Sequence, residues 1–196
     1  MRHYQGGSSN NVAAALHVGA LADAAGYSSF KAKPTFGGSD ESWFVGYNNA
    51  DATFSGKLIA KSVTKVGTGN WTIKGNENSS SITVKEGKLT IFNLTGSATT
   101  GTLTIGKTAT LTGTGTTNSI VAQSGSILQP GLTEKAIGTI NTNSNVIMQN
   151  GATFVVNVVA SSNSKLNVKG CIFTMVGNDT IVIAPQDGRT FIVGEK

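Results

Sequence analysis

KEGKLTIF, at Lys85–Phe92, sets a turn-forming pair ending in glycine directly before a short run of aliphatic and β-branched residues. The arrangement returns as TTGTLTIG at Thr99–Gly106, QSGSILQPG at Gln123–Gly131 and QNGATFVVNV at Gln149–Val158. Two further copies are VKGCIFTMVG at Val168–Gly177 and QDGRTFIVG at Gln186–Gly194. The motif glycines stand about 14 to 26 residues apart, the scale of the internal repeats of solenoids and arrays. One turn and one strand cannot bury an apolar face, so such units must stack on one another to be stable. The glycine precedes the strand each time, which reads as one repeating phase.

Outward from that motif, nearly everything after Ala52 reads as strand and turn. Period-two alternation is clear in TLTI, ATLTG and KLNVKG, giving one apolar face and one face of Thr, Asn or Lys. FVVNVV and IFTMV are continuously apolar and read as strands buried on both faces or near a corner. Asn150-Gly151 and Asp187-Gly188 could each nucleate a hairpin, so a sandwich competes. The recurring phase favours an all-β, right-handed, single-stranded parallel β-helix. At about 20–25 residues per rung and about 4.8 Å per strand, roughly eight rungs give a rod near 40 Å long. NVAAALHVGALADAAG (11–26) has helical propensity, but HVGAL and WFVGY pair glycine with valine as rung strands would, and strand is the reading adopted. Residues 1–50 are expected to form N-terminal rungs or a cap and residues 51–196 the repeats, together one solenoid domain. With no visible capping element the ends read as uncapped, so the chain is expected to be a fragment of something larger.

Composition agrees with this class. Hydrophobic residues make up 38% and charged residues 13% of 196, with 25 glycines, which excludes a long-helix protein rich in Ala, Glu, Lys and Leu. The formal net charge is +5, and Lys57, Lys61, Lys65, Lys74, Lys85 and Lys88 form the densest basic stretch. Interleaved with apolar residues, they fit strands with one wet face and edge protection, or a surface for a polyanion such as an acidic polysaccharide. Cys171 is the single cysteine and reads as a small buried hydrophobe. No apolar run reaches transmembrane length and MRHYQGGSSNN has no signal-like apolar region, so membrane insertion by this segment is not expected.

The segment 62–93, SVTKVGTGNWTIKGNENSSSITVKEGKLTIFN, resembles the autotransporter-associated β-strand repeat. Lys65, Gly67, Gly69, Trp71, Thr72 and Ile73 match its first strand; Thr83, Val84, Gly87 and Leu89 match its second. The continuation from Gly101 to Gly131 is similar to the passenger-type pattern in which Leu-Thr-Gly-Thr-Gly leads to a Leu-x-Pro-Gly turn. DATFSG and the later IGTIN and VIMQNGATFVVNV also resemble long extracellular proteins of Bacteroidetes, some pectate-lyase-like and others adhesin-like. The resemblance implies a right-handed β-helix in a bacterial surface or secreted protein, and Trp71 as a structural residue. It says much about architecture and little about activity.

Chemistry leaves few candidates. A polysaccharide lyase needs a Lys or Arg base and clustered carboxylates or Ca²⁺ at the sugar acid. Only Asp40, Glu41 and Asp51 share a neighbourhood, and Arg2 and Arg189 lie at opposite ends. His3 and His17 are the only histidines, and no nucleophile-elbow sequence accompanies His17 and Asp23. Gly67-Thr68-Gly69-Asn70 lacks the Lys-Ser/Thr of a phosphate loop. No catalytic, cofactor or metal residue is therefore assigned, and nucleic acid is not an expected partner. Trp43 and Tyr47, with Phe44, are the glycan-contact candidates, since aromatic faces stack on sugar rings. Thr-x-Thr runs at Thr102–Thr104 and Thr108–Thr114 resemble flat ice-binding arrays, but irregular intervals argue against one pair per rung. The expectation is a non-catalytic extracellular or cell-surface segment, a stalk or a face for polysaccharide or host glycan, with end-to-end or edge self-association. The alternative is an accessory or partial domain of a pectate-type lyase.

Overall fold

The computed structural model describes residues 15–23, 35–36, 40–75, 78–93, 98–169 and 171–188. Among these every regular element is a strand, and the pairing is parallel apart from the hairpin at Val158–Asn163 and one isolated bridge. The segment at Ala15–Val18 is a strand, as read from HVGAL, and it pairs with Ser42–Val45.

The chain returns repeatedly to the same ladders. The first ladder stacks eight strands, from Ala15–Val18 through Ser42–Val45, Ser62–Lys65 and the first halves of Ser81–Ile91 and Thr102–Gly113 to Ser119–Ala122, Val146–Met148 and Phe173–Met175. The second runs through Ala52–Phe54, Asn70–Ile73 and the second halves of the same two long strands to Ile127–Pro130, Thr153–Val159 and Thr180–Pro185. Shorter ladders at Thr35–Phe36, Lys57–Ala60 and Asn78–Ser79, and at Thr116–Thr117, Thr139–Thr142 and Lys165–Val168, form a third side. Residues 98–100 join them, since the Thr100 amide donates to Ser79 O and the Ala98 amide to Thr116 O. The first ladder crosses residue 50 without a break, because Ser42–Val45 pairs directly with Ser62–Lys65.

Alternation fixes what faces inward. Leu16, Trp43, Val63, Ile82, Leu103, Ile120, Val146 and Phe173 occupy one column of the first ladder. Trp71, Leu89, Leu111 and Leu128 occupy one column of the second, and all four are buried. Each fully buried aliphatic side chain contributes about 1.5–3 kcal/mol, so stacking inward columns supplies the stability a single turn lacks. Trp71 is held further by its Nε1, which donates to Leu21 O at 3.0 Å.

Two expectations about spacing need correction. The step along the first ladder ranges from 17 residues, Leu103 to Ile120, to 27 residues, Leu16 to Trp43. Irregular sequence intervals nevertheless leave the strands in register, because the extra residues sit in corners and loops. Thr64, Thr83 and Thr104 stack in one column, but Thr-x-Thr occurs only at Thr102/Thr104 on this ladder, flanked by Ser62/Thr64, Ser81/Thr83 and Ser119/Val121, so no Thr-x-Thr pair repeats from strand to strand. The motif glycines do not share one phase either. Gly87, Gly125 and Gly151 stand before the second ladder, Gly101 before the first, and Gly188 after the second.

The corner between the first and second ladders is where glycine is required. Gly46, Gly67, Gly87, Gly125, Gly151 and Gly177 all turn that corner in the left-handed region, with φ between 69° and 118°. In Thr102–Gly113 the strand instead passes straight through, with a register irregularity between Ile105 and Thr108. At Gly87 (φ 69°) an added Cβ would stand 2.5 Å from Gly67 O, the glycine turn of the preceding coil.

The last described coil departs from the reading of its sequence. Ile172, Phe173, Val176, Ile181, Val182 and Ile183 are exposed, so IFTMV is not buried on both faces. Cys171 is exposed as well, contrary to the buried-hydrophobe reading, because it sits in the corner entering that coil, where no described coil packs beyond it.

Gly87→Ala is expected to lower stability by at least about 1–2 kcal/mol, the cost of a left-handed L-residue before the carbonyl overlap is added. Lys85→Ala, an exposed neighbour, should stay within about 0.5 kcal/mol in the same urea titration.

Candidate ligand groove

One loop of the structure is built with unusual care. Beyond Pro130 the chain leaves the second ladder at Gly131 (φ 134°), runs through Leu132–Ile137 and enters the third side at Thr139. The Ala136 amide donates to Thr133 O at 3.2 Å and closes a turn. The loop carbonyls are then pinned from beneath. Gln129 Nε2 donates to Glu134 O at 2.8 Å, and Asn157 Nδ2 donates to both Glu134 O at 3.1 Å and Ala136 O at 2.9 Å. Ser164 Oγ donates to Pro130 O at 2.8 Å, and Gln186 Nε2 donates to Asn157 Oδ1 at 3.2 Å. Asn157 and Ser164 are buried, and a buried amide is tolerable only when its donors and acceptors are matched. Side chains from several coils thus hold one exposed loop in place.

That loop borders a cavity of about 420 Å³, open to solvent and lined by Asn70, Lys88, Leu132, Thr133, Glu134 and Lys135. It is a broad, shallow depression rather than an enclosing cleft. Asn70 and Lys88 are register neighbours on the outward side of the second ladder. A hydroxyl chain runs beside them: Thr90 Oγ1 donates to Asn70 Oδ1 and shares a 2.9 Å hydrogen bond with Thr112 Oγ1. Lys88 Nζ lies 3.8 Å from Glu134 Oε1, whose side chain is 80% exposed. An ion pair that exposed contributes about 0–1 kcal/mol, so Lys88 is readily available to another anion. The lining offers ammonium donors, an amide, a hydroxyl and a carboxylate: the equipment to hold a polar ligand, with one carboxylate among its residues.

The residues singled out from the sequence fall elsewhere. Trp43 is buried on the inward side of its strand, so its indole presents no face to a sugar, and Tyr47 lies beyond the strand end, 52% exposed. The corner at Gly46 (φ 118°) separates them. The aromatic group that does reach the surface comprises His17, Phe44 and Tyr47: His17 stacks on Phe44 with centroids 4.5 Å apart, and its Nδ1 meets Tyr47 Oη at 2.9 Å. His17 and Asp23 are engaged separately, for Asp23 Oδ1 accepts from the Ser55 amide. Asp51 Oδ1 accepts from the Asn70 amide at 2.7 Å. Among the described residues no group of three or more His, Cys, Asp or Glu is placed to hold a metal, and no helix is long and apolar enough to cross a membrane. Arg2, His3 and Arg189 lie outside the described residues.

Gln129, Asn157 and Ser164 escaped the sequence reading. The one signal was a lone Asn inside FVVNVV, a polar residue where an apolar strand has no use for one.

Lys65, from the repeat-like segment, faces inward in register with Val45 and Val84 and is buried. Its Nζ donates to Val66 O at 2.8 Å, Gly67 O at 2.6 Å and Glu86 O at 3.3 Å, while Glu86 Oε1 accepts from the Gly67 amide. It ties the corner glycine turn to the next coil. Neither the sequence nor the structure links it to the groove.

No protein-family model matches the chain, and no curated protein matches it in sequence.

Burial lowers the Lys65 pKa below its ordinary 10.5, against opposing pulls from Glu86 and Asp51. Between the lowered value and 10.5 the unfolded chain binds the extra proton, so this residue makes stability rise with pH across that window. The urea midpoint is expected to climb through that window, and Lys65→Met should remove the climb. Parallel pH profiles for the two proteins would contradict it.

Proposed function

We propose that this chain is a non-catalytic segment of a bacterial cell-surface or secreted protein, folded as a right-handed single-stranded parallel β-helix, and that its groove face holds a glycan. The single observation that carries the binding role is the pinned loop over Asn70 and Lys88, because buried amides from separate coils are matched to its carbonyls. The helical reading is supported by parallel ladders revisited in order, with crossovers between parallel strands being right-handed in about 98% of cases. The surface setting rests on sequence resemblance, that of residues 62–93 to autotransporter-associated repeats and of DATFSG, IGTIN and VIMQNGATFVVNV to long extracellular proteins. End-to-end or edge self-association belongs to the same proposal.

The test pairs glycan-array binding with an ultraviolet assay for unsaturated uronates on acidic polysaccharides. Glycan binding without unsaturated product is the expected result. Product formation would replace this reading with a lyase, and the absence of any glycan binding would leave only a stalk.

A further inference from the structure

The outward positions of both long ladders are mostly Ser, Thr and Asn, and each carries lysine: on the first, exposed Lys85 lies two residues beyond Thr83. The outward side of the second carries Lys88 and, two residues beyond Thr72 on the neighbouring strand, Lys74; the groove loop adds Lys135. Within the groove two lysines face one glutamate, and that glutamate is exposed and held only by a 3.8 Å contact. Asp51 accepts from the Asn70 backbone amide, a contact that leaves a second carboxylate beside the groove.

We infer that the groove selects an anionic glycan, its carboxylate or sulfate ester meeting Lys88 and Lys135 and its ring hydroxyls meeting Asn70, Thr133 and Glu134. This rests on the glycan-binding reading above and adds the charge of the ligand. The two lysines supply charge-assisted donors, which are the stronger class of hydrogen bond, to an acidic substituent. Glu134 and the Asn70 carbonyl oxygen accept from hydroxyls, which a sugar offers and a bare inorganic anion does not. The same glutamate disfavours nucleic acid, whose strands carry one phosphate about every 3.4 Å and would set one against it. A polysaccharide places hydroxyls between its charges, and the groove lining offers both charged and neutral polar groups. The loop is fastened before any ligand arrives, so little ordering opposes binding.

The test measures binding by calorimetry to polygalacturonate, chondroitin sulfate, neutral dextran and single-stranded DNA, using the full chain and its Lys88→Gln, Lys135→Gln and Lys57→Gln variants. Lys57 is exposed on the third side and reports on net charge alone. The expected result is binding to an anionic polysaccharide, weakened roughly tenfold or more by either groove substitution and unchanged in Lys57→Gln. Binding to polygalacturonate names carboxylate as sufficient, whereas binding to chondroitin sulfate alone, which carries both groups, names sulfate as the added requirement. Equal binding of dextran, or an equal loss in Lys57→Gln, overturns the inference while leaving a glycan-binding face standing. Tighter binding to DNA overturns it as well. Failure to bind any polysaccharide removes the underlying reading too.

Discussion

At the corner between the two long ladders the chain must reverse within a few residues while lying almost in contact with the coil beneath. A side chain there would strike a carbonyl of the neighbouring coil: at Gly46 the obstacle is Val66 O, at Gly67 it is Gly46 O, and at Gly87 it is Gly67 O. Gly67 and Gly87 are thus each constrained by the corner glycine of the preceding coil, and the left-handed turn all three adopt is the conformation that L-residues avoid. Everything else follows from this close approach. It lets the coils stack near the strand spacing, which aligns Trp71, Leu89, Leu111 and Leu128 into one column and lets Lys65 reach across to Glu86 O.

The other sides of the fold carry less constraint and more variation. Extra residues enter where the corner does not forbid them, and the step from Ile120 to Val146 includes the loop at Leu132–Ile137. An insertion on a stack of rigid ladders is a convenient way to make a groove, since the ladder supplies a flat wall and the loop an overhang. Here the overhang is stiffened from below. Asn157, Gln129 and Ser164 are polar groups in a largely apolar interior, each satisfied by a loop or strand carbonyl. Buried networks of this kind are stable only when complete, and they make the local conformation unique.

The all-β class and most strand positions were legible because period two and glycine turns are local signals. Trp71 and the segment around it pointed correctly to the core. Register was not legible, since it depends on which corner each glycine occupies, and Gly87 and Gly101 look alike in sequence while turning different corners. The site was harder still. SWFVGY shows three aromatics in five residues, but alternation sends Trp43 inward and leaves His17, from a different strand, to complete the surface group. The groove joins Asn70 and Lys88 to residues more than forty positions later, a proximity only the ladder register creates. Asn157 was the visible trace, passed over because the run around it is so apolar.

The central claim is the register that these corner turns impose, and a disulfide reads it directly. Thr83 and Thr104 are outward partners on adjacent first-ladder strands, at a spacing of about 4.8 Å that a disulfide can span. In a background where Cys171 is replaced by Ser, the Thr83→Cys/Thr104→Cys protein should oxidise fully and unfold at higher urea than its reduced form. A pair that stays reduced under oxidant, or closes only with loss of stability, would contradict the register and the stacking built on it.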